Sequence, residues 1–157
     1  MTAQQGHDAA VDTSTRSADL EPATYNAFVD GLELAGIELV RVHGERAEAG
    51  AAAQTRFDMS AGYMRDGGVI HYRYDLTAHF TDDRGTALGS AAASVLITAR
   101  AAAAEDAASI EQFGGTSGAL MAHPYLREAI ASTALRIGFP GVLLPLIKHQ
   151  PDATETD

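Results

Sequence analysis

Residues 123–147 read HPYLREAIASTALRIGFPGVLLPLI, and this stretch carries the strongest local structural signal of the chain. Pro124 suits the first position of a helix, where the backbone N–H that proline lacks would have no partner anyway. Gly138 suits a left-handed cap, and Pro140 prevents the helix from continuing. The pattern therefore predicts a helix over residues 124–137. Its mostly apolar stripe recurs at steps of three and four residues and comprises Leu126, Ala129, Ile130, Thr133, Ala134 and Ile137.

The same stretch resembles the helix signature of the SecB family of export chaperones. In that family the corresponding run reads Pro-Tyr-x-Arg-Glu-x-Ile, then Arg, then Phe-Pro, and then a hydrophobic segment. A plain amphipathic helix that ends in Gly and Pro is the alternative interpretation of this segment taken alone. The positions of this chain that match the family pattern without gaps are Pro124, Tyr125, Arg127, Glu128, Ile130, Arg136, Phe139 and Pro140.

Upstream of this helix, apolar and polar residues alternate with the period of two that a half-buried strand requires. The alternation runs through residues 56–63, 70–80 and 87–100, and glycine-containing turns at 65–68 and 82–85 separate the three runs. Short turns of this kind favour antiparallel hairpins. The sequence therefore predicts a meander of three antiparallel strands, each with one apolar and one polar face.

Two further elements precede the meander. Helical spacing of apolar residues after Pro22 predicts a helix over residues 22–35, with Gly36 as its end. Residues 37–46 read IELVRVHGER and predict a first strand, whose alternation slips after Leu39, so this strand has either two buried faces or a bulge. Because helices and strands are segregated along the chain, the fold class is α+β, with a four-stranded antiparallel sheet and helices packed on one of its faces.

The resemblance to SecB implies the same layout, with a crossover loop after the first strand, and it covers about residues 37–147. It implies a SecB-like domain at 21–147, between a disordered acidic tail at 1–20 and a disordered tail at 148–157. The C-terminal helix of the export chaperones has no counterpart, because the chain turns polar after Ile147. Binding to the SecA motor is therefore in doubt. The helix before the first strand resembles instead the branch of the family that stabilises antitoxins in toxin-antitoxin-chaperone modules.

The composition narrows the class of partner. A net charge of -10 disfavours nucleic acid and anionic membrane surfaces, because both are bound through clustered Lys and Arg side chains. The chain contains no cysteine, which excludes disulfides and thiolate zinc sites. No segment approaches the roughly 20 apolar residues that span a bilayer, and the N-terminus has neither the basic start nor the apolar core of a signal peptide. We therefore expect a cytoplasmic protein.

Catalytic and metal sites find little support in the sequence. Polar residues from His71 to His79 share one strand face, but a solvated sheet face produces this pattern by itself, and the two histidines lie about 26 Å apart along a strand. Ser117 and His123 lack the Gly-x-Ser-x-Gly elbow of a hydrolase, and the glycine cluster at 114–118 is predicted to be a flexible hinge. We expect no catalytic residue, metal or cofactor, and the protein is not predicted to be an enzyme.

The large side chains on the apolar strand face exceed what the facing helix can cover, because that helix presents mainly Ala129, Thr133 and Ala134. Ordinary core packing is one interpretation of these side chains, and a partly open groove for extended polypeptides is the other. The resemblance to SecB favours the groove. The client-binding residues predicted in this way are Phe57, Met59, Tyr63, Tyr72, Tyr74, Phe80, Phe113 and Met121.

The resemblance also implies a homotetramer, since the family forms dimers of dimers. The assembly is expected to form through this helix and the first strand. The oligomer contacts predicted on the helix are Tyr125, Arg127, Glu128, Ile130 and Ala134. The predicted function is that of an ATP-independent chaperone that binds non-native or aggregation-prone polypeptides, either antitoxins or presecretory proteins, in a hydrophobic groove. The alternative is a small α+β ligand-binding cup or enzyme of the cystatin or cone-shaped type, in which the same sheet would enclose a small molecule.

Overall fold

The computed structural model describes residues 22–101 and 107–145. The predicted α+β class is confirmed. Both predicted tails, and the polar end of the chain after Ile147, lie outside the described residues. The elements follow in the order α1 (Pro22–Asp30), β1 (Leu32–Arg46), β2 (Gln54–Asp66), β3 (Val69–Thr81), β4 (Ala87–Ala101), α2 (Ala107–Phe113), a π-helical segment (Gly114–Gly118) and α3 (Ala119–Arg136).

The four strands form one antiparallel sheet in the order β1-β4-β3-β2. β2, β3 and β4 are neighbours joined by short turns, as the alternating pattern predicts. β1 pairs with the far side of β4, so the chain crosses from one edge of the sheet to the other between Arg46 and Gln54. Consequently β1 and β2 are both edge strands of this sheet, and each leaves one row of backbone groups outside the ladder.

β1 contains the bulge that its slipped alternation suggests. Pairing with β4 shifts between Leu39 and Arg41, so Val40 is an extra residue on the bulged strand. Leu39 and Val42 therefore lie on the same face of the sheet, although they are three positions apart. The other interpretation, a strand with two buried faces, is wrong, because Leu39, Val40 and Val42 are each about half exposed.

The first helix is shorter than its apolar spacing predicts. α1 ends at Asp30, and the N–H of Gly31 donates to the carbonyl of Phe28 at 3.2 Å. The prediction of a helix to residue 35 is wrong, because residues 32–36 belong to β1, and all of them except Ala35 pair with β4. Short isolated helices have only marginal stability in water, so pairing with β4 makes these residues part of a strand.

The helix predicted over residues 124–137 starts earlier than its proline suggests. α2, the π-helical segment and α3 follow one another without a break from Ala107 onward, so Pro124 lies inside α3. The predicted start is wrong because the residues before the proline also pack on the sheet, and Ile110 and Ala122 are fully buried there. Burial of an apolar stripe stabilises a helix more than local propensity does.

The glycine cluster at 114–118 is a π-helical segment within this helical run, and the prediction of a flexible hinge is wrong. The glycines allow the helix to approach the sheet closely. A Cβ at Gly114 would lie 3.1 Å from the Tyr72 ring, and a Cβ at Gly118 would collide with the Tyr74 hydroxyl. These positions therefore need glycine for packing and not for mobility.

The end of α3 agrees with the sequence pattern. α3 ends at Arg136, and Gly138 has a φ of +88°, so the predicted left-handed cap is confirmed. The Arg46 guanidinium at the end of β1 donates to the carbonyl of Ile137 at 2.8 Å and to that of Gly138 at 3.1 Å. A cation at a helix C-terminus satisfies carbonyls that have no partner inside the helix and complements the helix dipole.

The hydrophobic core lies between the sheet and the helices on one of its faces. The sheet contributes Ile70, Tyr72, Tyr74, Leu76, Ala78 and Phe80 from β3, and Ala91, Ala93, Val95 and Ile97 from β4. The buried stripe of α3 consists of Ala122, Leu126, Ala129, Ile130, Thr133 and Ala134.

No helix in the described ranges is both long enough and apolar enough to cross a membrane.

Candidate functional site

The helices cover the sheet unevenly. α3 packs mainly against β4 and makes smaller contacts with β1 and β3. A helix is about 10 Å wide and strands lie about 4.8 Å apart, so one helix covers about two strands of a four-stranded sheet. The helix-facing side of the edge strand β2 is left largely open, with Met59 47% and Tyr63 38% exposed.

Two clefts lie along this open side of β2. The first, which we call the tail-side cleft, has a volume of about 700 Å³ and is lined by Gly50, Ala51, Ala52, Thr55, Phe57, Gly138, Phe139, Pro140, Gly141, Val142 and Leu143. The second, which we call the tyrosine cleft, has a volume of about 420 Å³ and is lined by Ala61, Gly62, Tyr63, Tyr72, Tyr74, Glu111, Gly114 and Gly115.

Met59 lies on the same strand face between the two clefts. In the ladder Thr55 pairs with Phe80 and Tyr63 with Tyr72, so alternate residues from Thr55 to Tyr63 all face the helix layer. We call these helix-facing residues of β2 and the two clefts together the β2 groove. The nine residues from Thr55 to Tyr63 are separated by eight strand steps and extend over roughly 27 Å, which is long enough for an extended polypeptide segment of similar length. The groove suits an extended chain better than it suits a compact small molecule.

The wall of the tail-side cleft is the segment after α3, which is held in place by three contacts. Phe139 stacks on Phe80 with 4.4 Å between ring centroids, and the Arg46 guanidinium lies 4.6 Å from the centre of the Phe139 ring. A ring nitrogen of His123 on α3 lies 3.1 Å from the carbonyl oxygen of Pro145, within hydrogen-bond distance. The cleft is therefore formed before a partner binds.

The wall of the tyrosine cleft is the π-helical segment. The Tyr74 hydroxyl donates to the carbonyl of Gly114 at 2.7 Å, which ties β3 to this wall. The Tyr72 hydroxyl is also buried, but it has no hydrogen-bond partner in the part of the chain that the structure describes. Burial raises the pKa of Tyr74 to about 12 and also raises the pKa of Tyr72, so both hydroxyls keep their protons near neutral pH.

A second apolar surface lies at the opposite edge of the sheet, between β1 and α3. We call it the β1–α3 surface. Leu39, Val42 and Tyr125 are each 46–48% exposed there, which is unusual for neighbouring large apolar side chains. They line a cleft of about 300 Å³ together with Glu128, Ala129, Ser132, Thr133 and Arg136.

The structure divides the predicted client-binding residues into two groups. Met59 and Tyr63 are exposed in the β2 groove, and Phe57 is half-buried at the tail-side cleft. Tyr72 and Tyr74 line the tyrosine cleft but are 1% exposed, and the remaining three belong to the core or pack against it. Those three are Phe80, Phe113 and Met121.

The predicted oligomer contacts divide in the same way. Tyr125 and Glu128 are exposed on the β1–α3 surface, and Arg127 is half-buried. Ile130 and Ala134 have no exposed surface, because they pack under the sheet of their own chain. The sequence analysis also expects the first strand to take part in the assembly, but it does not single out Leu39 and Val42, which are exposed on this surface. It also missed the segment from Gly138 to Leu143, since nothing local shows which strand that segment faces.

The polar residues of β3 lie on the sheet face opposite the helices. Arg73 binds both carboxylate oxygens of Asp75 at 3.0–3.1 Å, and Ser94 of β4 donates to the same carboxylate. The Arg73 hydrogen bond, followed by that of Ser94, holds the pKa of the Asp75 carboxyl below its usual value. His79 lies 3.1 Å from the Asp58 carboxylate on the neighbouring strand. Arg73 and Asp75 pair along β3, whereas the Ser94–Asp75 and His79–Asp58 contacts join neighbouring strands of a solvated sheet face.

Comparisons with known proteins agree with the fold. No family model and no curated protein sequence matches the chain. Among solved structures, a Mycobacterium tuberculosis SecB-like chaperone in complex with a ChAD peptide from the HigA1 antitoxin is similar, with a TM-score of 0.70. The similarity covers 82% of this chain and 97% of that chain at 13% sequence identity. The chain therefore has the SecB-like fold, and the fold predicted from residues 123–147 is confirmed.

Proposed function

We propose that this protein is a chaperone that holds non-native or aggregation-prone polypeptides in the β2 groove without ATP or another cofactor. The proposal is supported by the helix-facing side of the edge strand β2, where Met59 and Tyr63 are exposed beside the two clefts. The solved protein of the same fold holds a peptide, which supports the same class of ligand here. We propose the cytoplasm as its compartment, because that is where nascent chains need protection.

The chemistry of the groove suits varied clients. Met59 is flexible and polarisable, and Phe57 and Tyr63 offer broad apolar faces that accept many side chains. Binding surfaces of this kind repack around different partners and so tolerate many sequences. The alternative of a ligand-binding cup is less well supported, because such a cup encloses its ligand among convergent polar groups, whereas these clefts open along an exposed strand.

Antitoxins are the clients that we favour over presecretory proteins. α1, which precedes the first strand, packs beside the tyrosine cleft: Phe28 contacts Phe113 edge-to-face at 6.2 Å, and the Tyr25 hydroxyl lies 3.2 Å from the Thr116 hydroxyl. α1 therefore helps to position the cleft wall. The peptide in the solved protein of the same fold comes from an antitoxin, which supports this choice.

A dedicated antitoxin client should bind at least about tenfold more tightly than a generic unfolded protein, a difference of about 1.4 kcal/mol. Removing the chain up to Asp30 should reduce this difference in affinity, because it deletes α1 but leaves β1 intact. Titration calorimetry would compare an unfolded secretory precursor with an antitoxin encoded beside this protein's gene. A variant lacking residues 149–157 serves as the control and should keep the full difference in affinity. Equal affinities for both clients, or binding to SecA, would assign the protein to general export.

We propose further that the chain forms a homotetramer, a dimer of dimers, through the β1–α3 surface. Leu39, Val42 and Tyr125 form an exposed apolar area there that a second copy would cover. Ala134, one of the oligomer contacts predicted from the sequence, is unsuitable for a substitution that disrupts the assembly, because a carboxylate there would be buried in the core of each chain.

The substitution Leu39→Glu, made together with Val42→Glu, should split the tetramer, since an unpaired charge at a buried interface costs several kcal/mol. Light scattering should give four times the 16.4 kDa chain mass for the wild type and a smaller species for the variant. Met64→Glu is the matched control, because Met64 is 65% exposed on the other edge strand and on the outer sheet face. A wild-type protein that is monomeric at micromolar concentration would refute the assembly.

A further inference from the structure

The tyrosine cleft contains a buried hydroxyl that pairs with no group in the described part of the chain. Tyr72 is 1% exposed, and its hydroxyl has no hydrogen-bond partner in the described part of the chain. Tyr74, two residues further along β3, is equally buried but donates to the carbonyl of Gly114. Buried polar groups in folded proteins are nearly always paired, because an unpaired one loses its hydration without compensation. An unpaired hydroxyl among the residues that line a cleft therefore points to a ligand that supplies the partner.

We propose that the Tyr72 hydroxyl is the polar anchor of the β2 groove and donates a hydrogen bond to a neutral carbonyl oxygen of the bound polypeptide. The carbonyl belongs either to a main-chain peptide group or to an Asn or Gln side chain. This inference rests on the proposed function, because it assigns a binding role within the same groove. The apolar residues of the groove supply affinity, and Tyr72 determines where along the client a carbonyl must lie.

The electrostatics of the cleft select a neutral acceptor. Glu111 is exposed in the lining, and the chain as a whole carries a net charge of -10, so a client carboxylate would meet like charge. Burial raises the pKa of the Tyr72 hydroxyl, which therefore remains protonated and able to donate near neutral pH. Peptide and amide carbonyls are the neutral acceptors that a polypeptide offers.

The arrangement of the cleft gives a client access to Tyr72. The ring of Tyr63 lies 6.2 Å from that of Tyr72, is 38% exposed and belongs to the free edge strand, so it can rotate aside. On the helix side the wall consists of Gly114 and Gly115, and a Cβ added at Gly115 would meet no described atom within 4 Å outside its own helical segment. The rigid neighbour is Phe113, whose ring centroid lies 5.4 Å from that of Tyr72. A client therefore enters between Tyr63 and Gly115.

Tyr72→Phe removes only the hydroxyl and provides the test. We expect it to weaken client binding about three- to tenfold, which is the range for one neutral hydrogen bond. Its thermal midpoint should be unchanged or higher than that of the wild type, because the free protein loses an unpaired buried group. Tyr74→Phe is the matched control for stability: it removes the bond to Gly114, so its thermal midpoint should fall, in contrast to that of Tyr72→Phe.

Fluorescence anisotropy would measure binding of two labelled apolar peptides, one without Asn or Gln and one in which alternate residues are Gln. A loss on both peptides identifies a main-chain acceptor, and a loss on the Gln peptide alone identifies a side-chain amide. Equal binding by wild type and Tyr72→Phe would overturn the inference and leave the groove intact. A lower midpoint for Tyr72→Phe would also overturn it, since the hydroxyl would then be paired in the free protein. If the wild type binds neither peptide, the proposed function itself fails.

Discussion

Replacing Met59 and Tyr63 together with serine should reduce client affinity about a hundredfold. Both side chains are large and exposed on the helix-facing side of β2, where a bound chain would bury them. Each such anchor contributes more than about 1 kcal/mol when it is buried at an interface, and the two together correspond to roughly 3 kcal/mol. Anisotropy with a labelled unfolded client, and suppression of that client's aggregation, would measure the loss.

The fold should survive this double substitution, because neither side chain is buried in the free protein. Unfolding in urea should show a change of about 1 kcal/mol, as is usual for partly exposed positions. Met64→Ser is the matched control, since Met64 lies on the same strand but on the outer face of the sheet and should leave binding unchanged. Unaltered aggregation suppression by the double variant would place the client surface elsewhere.

Phe80→Ala should lower the free energy of unfolding by about 3–5 kcal/mol, a large fraction of the stability of a domain of this size. Phe80 has no exposed surface and stacks on Phe139 with 4.4 Å between ring centroids. The loss of the ring leaves a cavity beneath the wall of the tail-side cleft. Urea unfolding followed by circular dichroism would measure the change.

Phe57→Ala is the matched control for this loss, because Phe57 lies on the same face of the neighbouring strand but is only half-buried. Its substitution should cost about half as much stability and should reduce client binding directly. If Phe80→Ala proves as stable as the wild type, the packing of Phe139 against β3 is not what holds this end of the fold together.

The apolar pattern of the strands predicts the sheet faces well. Side chains alternate along a strand because of backbone geometry, so the alternation alone places Met59 and Tyr63 correctly on the face of Phe80. The bulge after Leu39 is also foreseeable, because one extra residue shifts the alternation locally. Helix boundaries are less predictable. Residues 32–36 have apolar residues at helical spacing but form part of β1, because pairing with β4 is a long-range contact.

Burial within the apolar face could not be predicted in the same way. Tyr63 and Tyr72 have similar sequence environments and are paired neighbours, yet one is 38% and the other 1% exposed. Their difference depends on strand order, since β2 lies at the edge and β3 inside the sheet. The same reason explains why Ile130 and Ala134, predicted as interface residues, lie under the sheet of their own chain.

Local sequence patterns are sufficient to specify the fold class, the two faces of each strand and the glycine end of the last helix, because each follows from backbone geometry and short-range periodicity. The position of the groove depends instead on long-range packing. The crossover after Arg46 takes the chain to the opposite edge of the sheet, and α3 then covers mainly β4. A single helix is too narrow to cover four strands, so Met59 and Tyr63 on β2 stay open to a partner while Tyr72 on β3 is enclosed.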